Sequence, residues 1–147
     1  MTRRAVRAIV MRDGHLLVMH RNKFGKEYET LPGGGIESGE VYEDALRREL
    51  AEETSVVIGS ARLVFTEKAG DPFGDQFVYL CEYISGEPQL APDSEEAMIN
   101  KLGQNLYDPR WVAIADLPKL PFLSERLKTM LLQSIETGFP SEPVQIG

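Results

Sequence analysis

Residues 5–11 form an apolar run with β-branched members and predict a strand. Asp13-Gly14 follows as a hairpin turn, since glycine tolerates the positive φ that a two-residue turn needs. Residues 16–19 are the returning strand. Residues 21–26 are a basic loop around Gly25, and 28–31 a short strand that stops at Pro32 and the run Gly33-Gly34-Gly35. The period then changes. Residues 41–54 hold no glycine or proline, are rich in Glu, Ala, Leu and Arg, and predict a helix that ends at Val56-Val57-Ile58. Strands are expected at 61–67 and 76–84, joined by a turn at 71–75 that contains Pro72 and Gly74. Residues 87–104 read mostly as loop, with room for a short helix. A strand at 110–114 and a helical turn at 115–120 precede the last helix, 125–136. Ser124 is its candidate N-cap, and Gly138 followed by Pro140 its stop. Leu127, Met130, Leu131 and Ile135 share one face of that helix, a core stripe.

The order strands, helix, strands, helix predicts an α+β fold with one mixed sheet packed between helices. A length of 147 residues, with no repeat or linker, fits a single domain over 1–147. A hydrophobic fraction of 42% allows a real core. The net charge of −7 argues against a nucleic-acid polymer as partner, because phosphate backbones demand a basic face. Cys81 is the only cysteine, so no internal disulfide can form, and it reads as a small buried apolar residue. No apolar run approaches a membrane span, which leaves a soluble cytoplasmic protein as the expectation.

The charge is uneven. Residues 37–53 hold seven acids (Glu37, Glu40, Glu43, Asp44, Glu49, Glu52, Glu53) against Arg47 and Arg48, and so carry −5 of the −7. Glu49, Glu52 and Glu53 stand at i, i+3 and i+4, within an arc of roughly 100° on a helix. Three carboxylates pointing one way repel. A solvated acidic face is one account; a bound divalent cation is the other. Oxygen donors without His or Cys favour Mg²⁺, or Mn²⁺, over Zn²⁺. Gly33, Gly34, Gly35 and Gly39 form a loop into the helix that allows close backbone approach to a ligand. Arg48 either bridges Asp44 on the surface or turns inward to orient a carboxylate, while Glu43–Arg47 reads as a surface pair.

These residues match a known pattern. Residues 34–56 resemble the Nudix hydrolase signature, G-x5-E-x7-R-E-U-x-E-E-x-G-U, with U a bulky aliphatic residue. Gly34, Glu40, Arg48-Glu49-Leu50, Glu52-Glu53 and Val56 fill eight of its nine specified positions. Ser55 replaces the glycine that would end the helix at positive φ, at a cost of about 1 kcal/mol. The segments Leu31-Pro32-Gly33-Gly34, Trp111-Val112 and Asp116-Leu117-Pro118 extend the resemblance along the chain. It implies a Nudix fold, an α/β/α sandwich around a mixed sheet, and hydrolysis of a nucleoside diphosphate linked to another moiety. By position, Glu49, Glu52 and Glu53 would hold Mg²⁺, Glu40 would assist through a water or a further metal, and Arg48 would position the glutamates. Gly33, Gly34 and Gly35 would shape the site near the phosphates.

The general base stays open between Glu49 or Glu53 and an acid on a later loop, where Asp93, Glu95 and Glu96 are the candidates. Arg21, Lys23 and Lys26 could meet phosphates or simply solubilise a loop. Tyr28, Phe73 and Phe77 could stack on a base or sit in the core. His15 and His20 read as structural. Pro72, sixteen residues past Val56, is a weak pointer to ADP-ribose; a nucleoside triphosphate is the competing substrate. A non-catalytic nucleotide-binding sensor on the same fold is the alternative function, and a homodimer is implied by the resemblance alone.

Overall fold

A computed structural model describes residues 2–147. The element order is β1 (Arg4–Arg12), β2 (His15–Lys23), β3 (Lys26–Thr30), β4 (Gly33–Gly35), α1 (Tyr42–Thr54), β5 (Val57–Lys68) and β6 (Asp75–Ser85). Then come α2 (Glu95–Asn100), β7 (Asn105–Ala113), a 3-10 helix (Ile114–Lys119), α3 (Glu125–Thr137) and β8 (Val144–Ile146). The strands form one mixed sheet in the order β3-β2-β1-β6-β5-β8, with β4 added on β1 and β7 on β2. β1 runs parallel to β6 and antiparallel to β4, and β5 parallel to β8.

Apolar side chains alternate to both faces, so each face carries its own core. On one, Val6, Ala8, Val10, Leu17 and Tyr79 pack against Ala45, Leu46 and Leu50 of α1. On the other, Ile9, Leu16, Val18, Phe65 and Val78 pack against Leu117, Leu127 and Leu131, from the 3-10 helix and α3. The result is the expected α/β/α sandwich. Among the described residues, no helix is long and apolar enough to cross a membrane.

One irregularity positions the site. β1 and β2 pair only beside their turn, at Met11↔Leu16 and Arg12↔His15. Beyond that, β1 takes β4 as neighbour (Ala5↔Gly35, Arg7↔Gly33), while β2 continues with β3 and β7. The two strands therefore splay, and a cleft opens between them.

The expected basic loop at 21–26 is instead a second hairpin: β2 reaches Lys23, which pairs with Lys26 around Phe24-Gly25, both at positive φ. Its polar strands hid the alternation that marks a half-buried strand. The triple glycine is not a loop but β4, held by pairing to β1. β8 was not anticipated; three residues are too short to show a period, and only Ile146 is buried.

Candidate functional site

α1 buries Ala45, Leu46, Glu49, Leu50, Glu53 and Thr54. Leu46 and Leu50 fix its rotation on the sheet, and that rotation turns Glu49 and Glu53 inward, leaving them 8% and 5% exposed. The expected three-carboxylate face is thus divided, because the Glu52 side chain remains 44% exposed. Among the described residues, no three His, Cys, Asp or Glu side chains are gathered into a ready-made metal cage.

The glycines act through close packing. A Cβ on Gly34 would lie 2.5 Å from Glu49 Oε2, so only glycine lets that carboxylate rest on β4. Gly33 has φ +147°, and a Cβ there would lie 1.9 Å from the Val6 carbonyl oxygen. The helix ends at Ser55 in the left-handed conformation (φ 61°, ψ 14°), as the missing glycine required, and its hydroxyl donates to the Gln89 carbonyl at 2.6 Å.

Arg48 turns inward. Its Nε and Nη2 donate to the two Glu40 oxygens at 2.8 and 3.0 Å, and its Nη1 to Glu49 Oε1 at 2.9 Å and, at 3.5 Å, to Glu52 Oε2. Nη2 also reaches the Gly35 carbonyl at 3.2 Å, tying helix to β4. Hydrogen bonds from Arg48, then the Glu37 N–H, hold the Glu40 carboxyl down at about 2. The expected Glu43–Arg47 pair is replaced: Arg47 donates to the carbonyls of Ile58 and Gly59 at 2.8 and 2.7 Å. A register shift between Ile58 and Ala61 leaves those carbonyls in need of donors.

Glu53 is in the opposite condition. Its Oε2 is buried with no hydrogen-bond partner, and so is Glu96 Oε1. Burial pushes the Glu53 carboxyl well up; Arg7 opposes this, and Glu49 and Glu96 reinforce it. Burial likewise raises Glu96, with Glu49 adding to it. Glu96 stands in the first turn of α2, whose N-cap is Ser94, with its hydroxyl accepting from Ala97 N–H at 3.1 Å. Of the three later acids, Glu95 and Glu96 line one cleft with Glu49 and Glu53, while Asp93 lines an adjoining cavity with Glu49 and Glu52; of these, Glu96 has a buried oxygen without a partner. An oxygen-only set with orphaned buried acceptors and mutual repulsion fits a hard divalent cation.

Facing these acids across a cleft of about 360 Å³ are Arg3, Arg7, Arg21 and Lys23. Arg21 lies over the Tyr107 ring, 3.7 Å from its centroid, and donates to the Leu106 carbonyl and to Asn105 Oδ1. Lys26 is outside the cleft lining, at the hairpin end. Arg7 and Tyr107 escaped the sequence reading. For Arg7 a signal existed, a lone charge amid the buried Ala5, Val6, Ala8, Ile9 and Val10. Arg7 donates to Gln76 Oε1 at 2.9 Å and to the Leu31 carbonyl at 3.3 Å; burial lowers its pKa, opposed by Glu53.

Tyr28 and Phe73 border the cleft. Phe77 does not: it packs edge-on against Tyr42, centroids 4.9 Å apart, in the α1 core. His20 is held between Glu29 and Glu27 at 2.7 and 3.0 Å, a structural contact. Cys81 is buried, and burial pushes its thiol up to about 12.

The NUDIX domain family model matches residues 1–133. A protein named ADP-ribose pyrophosphatase from Methanocaldococcus jannaschii is 32% identical over 128 residues, covering 84% of this chain and 69% of that protein. NAD-capped RNA hydrolase NudC from Haemophilus influenzae is 33% identical over 119 residues, covering 77% of this chain but only 40% of that protein. An ADP-ribose pyrophosphatase structure from Streptococcus suis superposes with a TM-score of 0.69 at 18% identity, covering 99% of both chains. A MutT NUDIX hydrolase from Burkholderia pseudomallei gives 0.66 at 26% identity, covering 92% of this chain and 98% of that one.

Proposed function

The chain belongs to the NUDIX family, and on that premise we propose that it hydrolyses a diphosphate linkage in a nucleoside diphosphate derivative, with Mg²⁺, or Mn²⁺ in its place. One observation carries the reading: the buried Glu49 and Glu53 and the half-buried Glu96, the last two each with an unpartnered buried oxygen, face Arg3, Arg7, Arg21 and Lys23 across one cleft. A divalent ion on the acidic wall and a polyphosphate on the basic wall would neutralise both at once.

Each residue then has a role. Glu49 and Glu53, with the half-exposed Glu52, would hold the cation; when bound, that ion would offset charge on the phosphoryl oxygens and acidify a water. Arg48 fixes Glu49 through Oε1, while Glu40 holds Arg48 and would assist the metal set only at the cost of that bond. Glu96 accepts the proton of the attacking water, since burial and neighbouring acids raise its proton affinity toward the range a general base needs. Arg7, Arg21 and the β4 backbone at Gly33, Gly34 and Gly35 orient the phosphates, with Tyr28 and Phe73 at the rim.

The first substrates to test are ADP-ribose, because the Methanocaldococcus relative is named for that activity, and other sugar nucleotides of the same linkage. Nucleoside triphosphates follow, on the MutT likeness. NAD-capped RNA joins the panel because of the NudC relative, of which this chain spans about two fifths. The test is that panel with Mg²⁺, reading phosphate or nucleoside monophosphate release. Tight nucleotide binding with no product from any member would replace hydrolysis with the sensor reading.

A further inference from the structure

Behind Arg7 lies a second cavity of about 260 Å³, which shares Arg7, Thr30, Phe73 and Leu123 with the diphosphate cleft and so continues it. Its walls are largely apolar, from Leu31, Phe122, Leu127 and the shared Phe73. Beside these apolar walls, with Arg7, Gln76 and Arg126 on the cavity's polar side, stands a carboxylate, Glu67, only 3% exposed. Among the described residues its one hydrogen-bond donor is the Ser124 hydroxyl, 2.6 and 2.9 Å from its two oxygens; the Arg126 guanidinium is 3.6 Å away. Ser124 is fixed in turn. It holds φ +76°, and its hydroxyl accepts the Leu127 N–H at 3.1 Å to cap α3. Its single proton therefore goes to Glu67.

A carboxylate offers about four lone-pair positions, and one hydroxyl proton fills one. A buried acceptor with so few partners is costly unless a ligand completes it. The aromatic side chains of Phe73 and Phe122 favour a planar ring over a sugar, and an acceptor-only group selects adjacent donors. Of the common bases, guanine alone presents two parallel donors side by side, N1–H and the N2 amino group. Adenine and cytosine place one amino group beside a ring acceptor, which a carboxylate repels; uracil flanks its lone N–H with carbonyls. We infer that this cavity takes the base of the substrate and that Glu67 selects guanine, its two oxygens receiving N1–H and N2–H while Ser124 holds the carboxylate in plane.

The inference rests on the diphosphohydrolase reading for its substrate class, so its test avoids turnover. Calorimetry with GMP, IMP and AMP measures the base alone. GMP should bind about tenfold or more tighter than AMP, the discrimination expected of one bidentate base contact. IMP lacks only the N2 amino group and should lose several-fold against GMP. Glu67→Gln exchanges one acceptor for a donor, which suits the N6–H and N1 edge of adenine, and should shift the preference toward AMP. Equal binding of GMP and AMP, or of GMP and IMP, by the unaltered protein overturns the inference, as does a Glu67→Gln protein with an unchanged GMP-to-AMP ratio. The IMP comparison decides the matter if Glu67→Gln fails to fold. A GMP preference without hydrolysis of any panel member would leave Glu67 as assigned and refute the hydrolase; hydrolysis with no GMP preference would do the reverse.

Discussion

Two groups of carboxylates lie along α1 and the loops around it, and they are treated oppositely. Glu40, Glu49 and Glu52 converge on Arg48, whose guanidinium serves all three and the Gly35 carbonyl. Glu53 and Glu96 each keep a buried oxygen with no partner, and the cation facing Glu53, Arg7, also serves Gln76 and the Leu31 carbonyl. The first group is hydrogen-bonded through one shared guanidinium and holds helix to strand. The second keeps buried oxygens that no donor reaches, with the cations held on the opposite wall of the cleft, which is how a protein leaves room for a metal and a polyanion between them. Glu49 belongs to both, bonded to Arg48 and in contact with Glu53. It is the residue through which the scaffold reaches the chemistry.

The sharpest way to break this contrast is at Glu53. Glu53→Gln should reduce turnover by roughly 10²–10⁴-fold, the range for a group acting at the reacting centre. Thermal unfolding should show a protein as stable as the parent or more so, because a repelled buried charge is gone. Mg²⁺ should stabilise the parent by about 2.7 kcal/mol at a hundredfold excess over its dissociation constant and the variant by much less. Unchanged turnover would end the assignment.

Arg48 should show the reverse balance. Arg48→Ala removes the shared partner of three acids and should cost about 2–3 kcal/mol of stability by denaturant titration, with activity falling as Glu49 loses its hold. Arg48→Lys should restore little, since an ammonium cannot span Glu40 and Glu49 in one plane. A Lys variant equal to the parent would show that charge alone, not the fork, is what matters.

Glu40 supplies a pH test. Its folded pKa of about 2 lies below the ordinary 4.5. Its contribution to stability should therefore be complete above about pH 4.5 and lost progressively as pH falls toward 2. The gap in unfolding free energy between the parent and Glu40→Gln should narrow over that window. A gap of the same size at pH 3 and pH 7 would mean that Arg48 does not hold this carboxylate.

Ser55→Gly should have the smallest effect. Glycine removes about 1 kcal/mol of left-handed strain, and the variant loses a hydroxyl bond to Gln89 of about the same worth. Midpoints should agree within about 0.5 kcal/mol with activity unchanged, since Ser55 points away from both carboxylate groups toward the β6–α2 connection.

The local pattern reached far. The period of residues 41–54 fixed α1, the Asp13-Gly14 turn fixed the first hairpin, and Ser124 and Gly138 bounded α3 as expected. These features depend on side-chain period, caps and allowed φ, all of which neighbours in sequence decide. The spacing of the acids and Arg48 was also legible, because a helix converts spacing into a shared side. Which acids are buried was not. Glu53 and Glu52 are adjacent in sequence, and only the docking of Leu46 and Leu50 on the sheet sends one inward and leaves the other half-exposed. Arg7, Tyr107 and Glu96 come from β1, β7 and α2, which meet only because β1 and β2 splay. Glu67 and Ser124 lie 57 residues apart, and their contact exists only once α3 closes on the end of β5. Desolvation, which makes these groups chemically distinct from the other acids in the chain, is a property of packing, and a linear sequence does not display it.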